Sequence, residues 1–357
     1  MKFPFRTSLW LLLLSIFCLG SCKNDTEDLD DTFPVEYSAS YQIAAGTPFS
    51  IQFSSPKNIE ELSLLINDST YKVWKNPTNV ITQKFDVSNL GIGLKNLTLK
   101  AKTTDGKEYT ENQTISILSD ILPENLKTEI VQLYPHNPTH FTQGLEIENG
   151  NLYESTGDPN RTGATKVMEK ELKTDKILRE QDLDANYFGE GITIFKNKLY
   201  QITWTSQKCF VYDFPSLNKE NVTFSYNGEG WGLTHDDQYL IMSDGSNRIF
   251  FRDPTTFAVR KTIEVYDNVG PIKELNELEY IDGKIYANVW QTNKIVVIDP
   301  QTGKVLQDID GTDFVTIARG AAGDVLNGIA HDPATGKIYI TGKYFDKLGE
   351  VKFVGSN

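Results

Sequence analysis

Five segments of the chain repeat one short pattern, and the residue that opens each is of a type that can do chemistry. They are Gln143-Gly144-Leu145, Glu190-Gly191-Ile192, Trp231-Gly232-Leu233, Asn276-Glu277-Leu278 and Asn327-Gly328-Ile329, with successive starts 47, 41, 45 and 51 residues apart. Each leads through a short loop to Leu152-Tyr153, Leu199-Tyr200, Tyr239-Leu240, Ile285-Tyr286 or Ile338-Tyr339. Four residues past the second member of each pair stands a second set: Gly157, Trp204, Asp244, Trp290 and Lys343. If equivalent positions converge on one axis, one mouth holds a carboxylate, three indoles, three amides, an aspartate and a lysine. A carboxyl group buried among indoles can take and return protons when its pKa lies near the working pH. An amide, an ammonium or an indole N–H can polarise a carbonyl and stabilise an oxyanion. Burying such groups unpaired is costly, so their convergence reads as a pocket rather than as packing. Glu190 is the best-placed carboxylate; Glu229 falls nearer the rim, and Glu277 belongs to the opposite face of its strand.

Positions separated by a period near 45 meet only if each repeat is a small sheet radiating from a common centre. About four strands per period is the signature of a β-propeller. The turns Phe251-Arg252-Asp253-Pro254 and Val297-Ile298-Asp299-Pro300 repeat one strand end. The last repeat is short at Phe353, and residues 129–135 can supply its missing outer strand, hiding both edges of the ring. The expectation is an all-β chain with a five-bladed β-propeller over residues 124–357. Residues 33–119 alternate in strand fashion, as in Phe49–Phe53, Leu62–Ile66, Lys84–Val87, Leu97–Ala101 and Thr114–Ile117, broken by turn residues. They are expected to form a small Ig-like β-sandwich. Asp120 to Leu126, with Pro123 inside it, reads as the linker.

Across its 357 residues the chain carries 48 acidic and 35 basic side chains, a net charge of −13. A phosphate-backbone partner would need basic patches, so no nucleic acid is expected. His136, His140, His235 and His331 share no metal-ligand spacing and are expected as capping or loop residues, with no metal and no cofactor. Cys209 lies in an apolar strand and reads as core. Phosphate loops, serine-hydrolase elbows and dinucleotide fingerprints are missing from the sequence.

At the start, Lys2 and Arg6 precede an apolar run from Leu9 to Leu19, which closes in Leu19-Gly20-Ser21-Cys22. This resembles a bacterial lipobox: residues 1–21 are expected to be a lipoprotein signal peptide, and Cys22 the lipid attachment site. Residues 22–32, including Lys23 to Asp31, form an acidic tether. The expected location is the cell envelope, lipid-anchored to a membrane, either periplasmic or exposed on the outer membrane, as a monomer.

The repeat segments also resemble the plant-type glutaminyl-peptide cyclotransferases. The likeness runs from about Tyr134 to Phe353 and rests on Phe141–Leu145, Glu154–Gly157, Phe188–Gly191, Gly228–Leu233, Ser243–Ser246, Leu275–Glu279, Asn288–Gln291, Leu326–Ala330 and Thr341–Tyr344. It implies a five-bladed propeller that converts an N-terminal glutamine of peptides or proteins to pyroglutamate, releasing ammonia without a metal. Glu190 matches the family's catalytic glutamate, and Gln143, Trp204, Trp231, Asn276, Trp290 and Lys343 match residues around the channel mouth. Glu190 is thus the expected proton carrier, with Asn276 and Lys343 beside it as catalytic partners. Gln143, Trp204, Trp231 and Trp290 are expected to bind substrate, and Asn327 joins them on register alone. Burial would raise the Glu190 pKa and Lys343 would lower it, a balance left open here. Phe345 stands where a Trp of the family is expected, as a pocket wall. Two other readings compete. One is a non-catalytic surface lipoprotein binding peptide or glycan through the channel. The other is a metal-dependent hydrolase of the lactonase kind, which would need more axial carboxylates than Glu190 and Asp244.

Overall fold

The computed structural model describes residues 35–37, 41–54, 58–78 and 80–355. The expected signal peptide, Cys22 and the acidic tether lie outside the described residues. Among those residues, no helix is long and apolar enough to cross a membrane.

The described residues are all-β apart from the short helices Val87–Leu90 and Thr312–Ala318. In the N-terminal part, Phe49–Ser54 lies between Val35–Tyr37 and Val80–Phe85 in a three-stranded sheet. A second sheet orders Gln42–Ala44, Glu108–Leu118, Gly93–Thr103, Ile59–Ile66 and Ser69–Lys75. Period-2 alternation decides which side chains meet: Phe49, Ile51 and Phe53 of one sheet share a core with Leu62, Leu64, Leu97, Leu99, Ile115 and Ile117 of the other. The strand expected over Lys84–Val87 ends at Phe85, where the chain turns into the short helix.

Beyond Ser119 the strands follow one another as antiparallel meanders. Three four-stranded sheets begin with the inner strands Phe141–Glu148, Gly189–Phe195 and Leu233–His235. The fourth and fifth repeats, opening with Leu275–Ile281 and Leu326–Asp332, belong to one eight-stranded sheet. Its seam is the strand Glu124–Pro135, which pairs in parallel with Val305–Asp310 through Glu124–Lys127 and antiparallel with Lys347–Gly355. The chain end therefore does find its outer neighbour near residues 129–135, and the seam strand begins inside the expected linker. The five inner strands touch one another in cyclic order, Leu326–Asp332 returning to Phe141–Glu148.

Burial follows the radial order. Gly189–Phe195 is buried along its whole length, whereas the outermost strand Ile177–Asp182 is largely exposed. Third and fourth strands are joined by one recurring turn. Leu217 N donates to Asp213 O, Phe257 N to Asp253 O and Gly303 N to Asp299 O, with a left-handed φ at Leu217, Phe257 and Gly303. The longest repeat spacing, from Asn276 to Asn327, holds the helix Thr312–Ala318, whose Phe314, Val315 and Ala318 pack with Leu326 and Phe345.

Close approach of the inner strands explains Gly at the second position of the repeat. A Cβ on Gly232 would lie 2.1 Å from the Asn276 carbonyl oxygen and 2.9 Å from Glu277 Cα, backbone atoms that cannot swing aside. Gly232→Ala should lower stability by about 1–3 kcal/mol, as overpacking does. A denaturant midpoint equal to wild type would contradict this.

Candidate active site

At one end of the axis the inner strands and the loops that follow them surround a cavity of about 550 Å³. Gln143 and Glu190 project from inner strands, Asn276 from the start of another, and Trp231 from the segment just before Leu233–His235. Trp204, Trp290 and Lys343 follow directly after the second strands Lys198–Thr203, Lys284–Val289 and Lys337–Gly342. All seven line the cavity.

Asn327 does not. It is fully buried behind Gln143, donating Nδ2 to Thr142 O at 3.0 Å and to Gln143 Oε1 at 3.3 Å. Its amide orients Gln143 rather than facing a substrate, which corrects the expected binding role. Phe345 is likewise no pocket wall: it is buried against Phe314. Asp244 turns away to Ser246 and Arg248.

Gln143 Nε2 donates to Glu190 Oε1 at 3.0 Å. The other oxygen, Oε2, is buried with no hydrogen-bond partner, and Asn276 Oδ1 is in the same condition. Burial raises the Glu190 carboxyl well above the ordinary carboxylate range; the Lys343 charge opposes this and the Glu229 charge adds to it. Desolvation wins the contest that the sequence left open. Burial also pulls Lys343 down from the usual lysine range, against the pull of Glu190 and Asp324. Its ammonium lies 4.8 Å over the Phe141 ring. The arrangement offers an unsatisfied carboxyl oxygen, an amide and an ammonium to one small volume with apolar walls, which suits proton transfer beside a developing oxyanion.

The Trp231 N–H, a group of the kind that could polarise a carbonyl, is already committed: it donates to Glu229 Oε2 at 2.9 Å. The cavity wall also includes residues given no role by the repeat register, among them Phe141, Tyr187, Phe188, Arg161 and Asp324. A signal for two of them was present. Phe141, Phe188 and Glu229 all stand two residues before a ring residue.

Further carboxylates line the axis below the pocket. Glu277 accepts Leu145 N at 3.2 Å and Ile329 N at 2.8 Å, while Glu146 accepts Thr193 Oγ1 and Glu279 accepts His331 N. All three are raised above the ordinary carboxylate range, by burial first; the charge of Glu148 adds to the shift at Glu146, that of Glu146 at Glu277, and those of Glu146 and Glu277 at Glu279, while the hydrogen bonds they accept oppose it. The expectation of only two axial carboxylates was too low. Glu277 and Glu279 stand two residues apart on one strand, a pairing visible in Asn276-Glu277-Leu278-Glu279.

His136 and His140, expected as loop residues, instead converge on Glu154, their ligand-type atoms lying within 4.8 Å of one another. Glu154 takes Thr142 Oγ1 at 2.7 Å and Lys170 Nζ at 2.7 Å as well as the two rings at 3.1 and 3.0 Å. An ammonium among four donors to one carboxylate makes this an ion-pair cluster, a donor set that repels a further cation. Cys209 is buried and its thiol is pushed up by desolvation, as a core residue.

A family model described as glutamine cyclotransferase matches residues 101–353. The glutaminyl-peptide cyclotransferase of Arabidopsis thaliana is 37% identical over 228 residues, which is 63% of this chain and 70% of that protein. The crystal structure of Myxococcus xanthus glutaminyl cyclase superimposes with a TM-score of 0.62 at 33% identity, covering 66% of this chain and 100% of the other.

Proposed function

The chain belongs to the glutamine cyclotransferase family, and from that premise we infer that it cyclises the N-terminal glutamine of peptides or proteins to pyroglutamate, with Glu190 as its proton carrier. The single observation that carries the assignment of Glu190 is that this residue lines the cavity and its buried Oε2 has no hydrogen-bond partner.

In this mechanism the substrate's α-amine approaches Oε2 and gives up a proton to it. The amine nitrogen then attacks the γ-carboxamide carbon, forming the C–N bond of the five-membered ring. Asn276 and Lys343 hold the oxyanion. Glu190 returns the proton to the departing amide nitrogen, the old C–N bond breaks, and ammonia leaves. The carbonyl reforms as the lactam. Ring closure is intramolecular, so holding the glutamine in a folded conformation supplies much of the rate. Trp204, Trp231 and Trp290 would grip its methylenes and keep out the water that would otherwise hydrolyse the amide.

The five cyclically touching inner strands support reading the second part as a five-bladed propeller, with the eight-stranded sheet as two blades sharing the seam strand. The two sheets over one core support an Ig-like module before it, outside most of the family match. The domain limits of 33–119 and 124–357, anchoring through Cys22 in the cell envelope, and a monomeric state complete the proposal.

The test is a Gln-initiated peptide incubated with the purified protein, following ammonia release and product mass, with a parallel sample in EDTA. The expected result is loss of one ammonia from the peptide, unaffected by EDTA. Conversion to N-terminal glutamate, or no turnover by folded protein, would overturn the cyclase reading; loss of activity in EDTA would overturn its metal independence.

A further inference from the structure

We propose that Glu229 is a positioning residue that ties two indole walls of the pocket together and so sets how tightly the substrate's glutamine side chain is held; this rests on the cyclase reading above.

One oxygen of Glu229, Oε2, accepts the Trp204 Nε1–H at 2.7 Å and the Trp231 Nε1–H at 2.9 Å. Both are charge-assisted hydrogen bonds, roughly twice as strong as neutral ones. Trp204 needs such a tether, because it is 42% exposed. Its only ring partner among the described residues is Phe188, edge-on at 5.7 Å. Trp231 is better braced, meeting Trp290 at right angles at 5.4 Å. The contacts run on from Phe188 to Phe141 at 6.0 Å, and Phe141 lies beneath Lys343. An almost continuous belt thus follows the pocket wall from Trp290 to Lys343. Its one link between Trp231 and Trp204 is a carboxylate.

The backbone is arranged for that link. Glu229 is flanked by Gly228, at φ +88°, and by Gly230, where a Cβ would strike the Tyr226 hydroxyl at 2.3 Å. Gly230 N also donates to Trp204 O at 3.0 Å, fixing the loop to the tryptophan it serves. Glu229 does not itself face the cavity, so its role passes through the indoles. The charged and titratable groups that act on Glu190 are Lys343, Glu229 and the buried Tyr226. Of these, Glu229 is a negative charge that favours the protonated carboxyl, so its removal should ease ionisation of Glu190.

Full-length wild type, Glu229→Gln and Glu229→Ala would be compared by steady-state kinetics on a Gln-initiated peptide across pH. KM should rise about tenfold in Glu229→Ala, the size expected when a charge-assisted hydrogen bond is lost. The rise should be smaller in Glu229→Gln, whose amide oxygen still accepts, with kcat changed much less than KM. In both variants the acid limb of kcat/KM should move to lower pH. A second arm uses the Glu190→Gln background, which should bind the peptide without consuming it, and reads binding through indole fluorescence. Affinity should fall about tenfold when Glu229→Ala is added. If KM and affinity stay at wild-type values in Glu229→Ala, or if the whole loss falls on kcat with the acid limb unmoved, the proposal is overturned. Because the binding arm needs no turnover, failure of the cyclase reading would show as an inactive wild type, separately from the outcome for Glu229.

Discussion

Glu190→Gln should slow pyroglutamate formation by a factor on the order of 10²–10⁴, the span attributed to a positioned general acid–base group, while leaving the fold intact. The amide has the same shape, can still meet Gln143 and fits the same pocket, so substrate affinity should change little. What disappears is the capacity to take a proton at the position where Oε2 now has no partner. The stability side has a definite sign. Burial raises the Glu190 pKa above its unfolded value, so above that unfolded value the ionised group costs the folded state. A neutral glutamine removes the cost, and the variant should melt no lower than wild type near neutral pH. Activity lost with stability kept or gained is the pattern of a group strained for function. A variant turning over within a few-fold of wild type would end the assignment of Glu190, and one that melts far lower would mark the residue as structural.

The second large effect is expected at a residue that does not line the cavity. Glu154→Gln should destabilise the protein by about 3–5 kcal/mol, because it breaks a buried ion pair and leaves Lys170 with Asp175 as its one remaining counter-charge among the described residues. Lys170 and Glu154 are both wholly buried, 2.7 Å apart, and Lys170 also pairs with Asp175. Burial works against the Glu154 charge, but Lys170, His140 and His136 together outweigh it and hold its carboxyl well below the ordinary carboxylate range. Its folded pKa is therefore depressed. The stabilisation is complete above the unfolded value and is lost as pH falls through the folded one. Glu154→Gln should accordingly show a flatter loss of stability in acid than wild type. The damage should also reach activity. Thr142, which donates to Glu154, directly precedes Gln143, and His136 is held on the Phe345 carbonyl two residues beyond Lys343. Thermal and urea unfolding across pH test this; a drop under about 1 kcal/mol would mean that the cluster relaxes or hydrates, against the reading of a tight buried pair.

The repeat made the site's composition legible. The repeat register brings Gln143, Glu190, Trp231 and Asn276 to equivalent positions, and a constant offset selects Trp204, Trp290 and Lys343. The same register misled at Asn327, because it gives a residue's direction but not what stands in front of it. Gln143 lies between Asn327 and the cavity. Phe345 was misplaced for a related reason: the helix Thr312–Ala318, which no periodic signal announced, supplies Phe314 and draws that side chain into the core. The Trp231 N–H looked free in the sequence because its partner, Glu229, was weighed only as a rival carboxylate. His136, His140, Glu154 and Lys170 come from three separate stretches of the first repeat and the segment before it, with no common spacing, so their meeting left no mark on the linear pattern.

Strand periodicity, repeat length and the types of residue at equivalent positions are one-dimensional properties, and they were sufficient to establish an all-β chain and the side chains that surround its axis. Proton affinities and partners are not one-dimensional. Whether desolvation or Lys343 governs Glu190, which indole N–H is free, and which amide supports and which faces substrate depend on atoms delivered by other strands. Hydrogen-bond energy falls away within a few tenths of an ångström, and the cost of charge depends on what excludes water from it. Those quantities exist only after the inner strands have closed on one another.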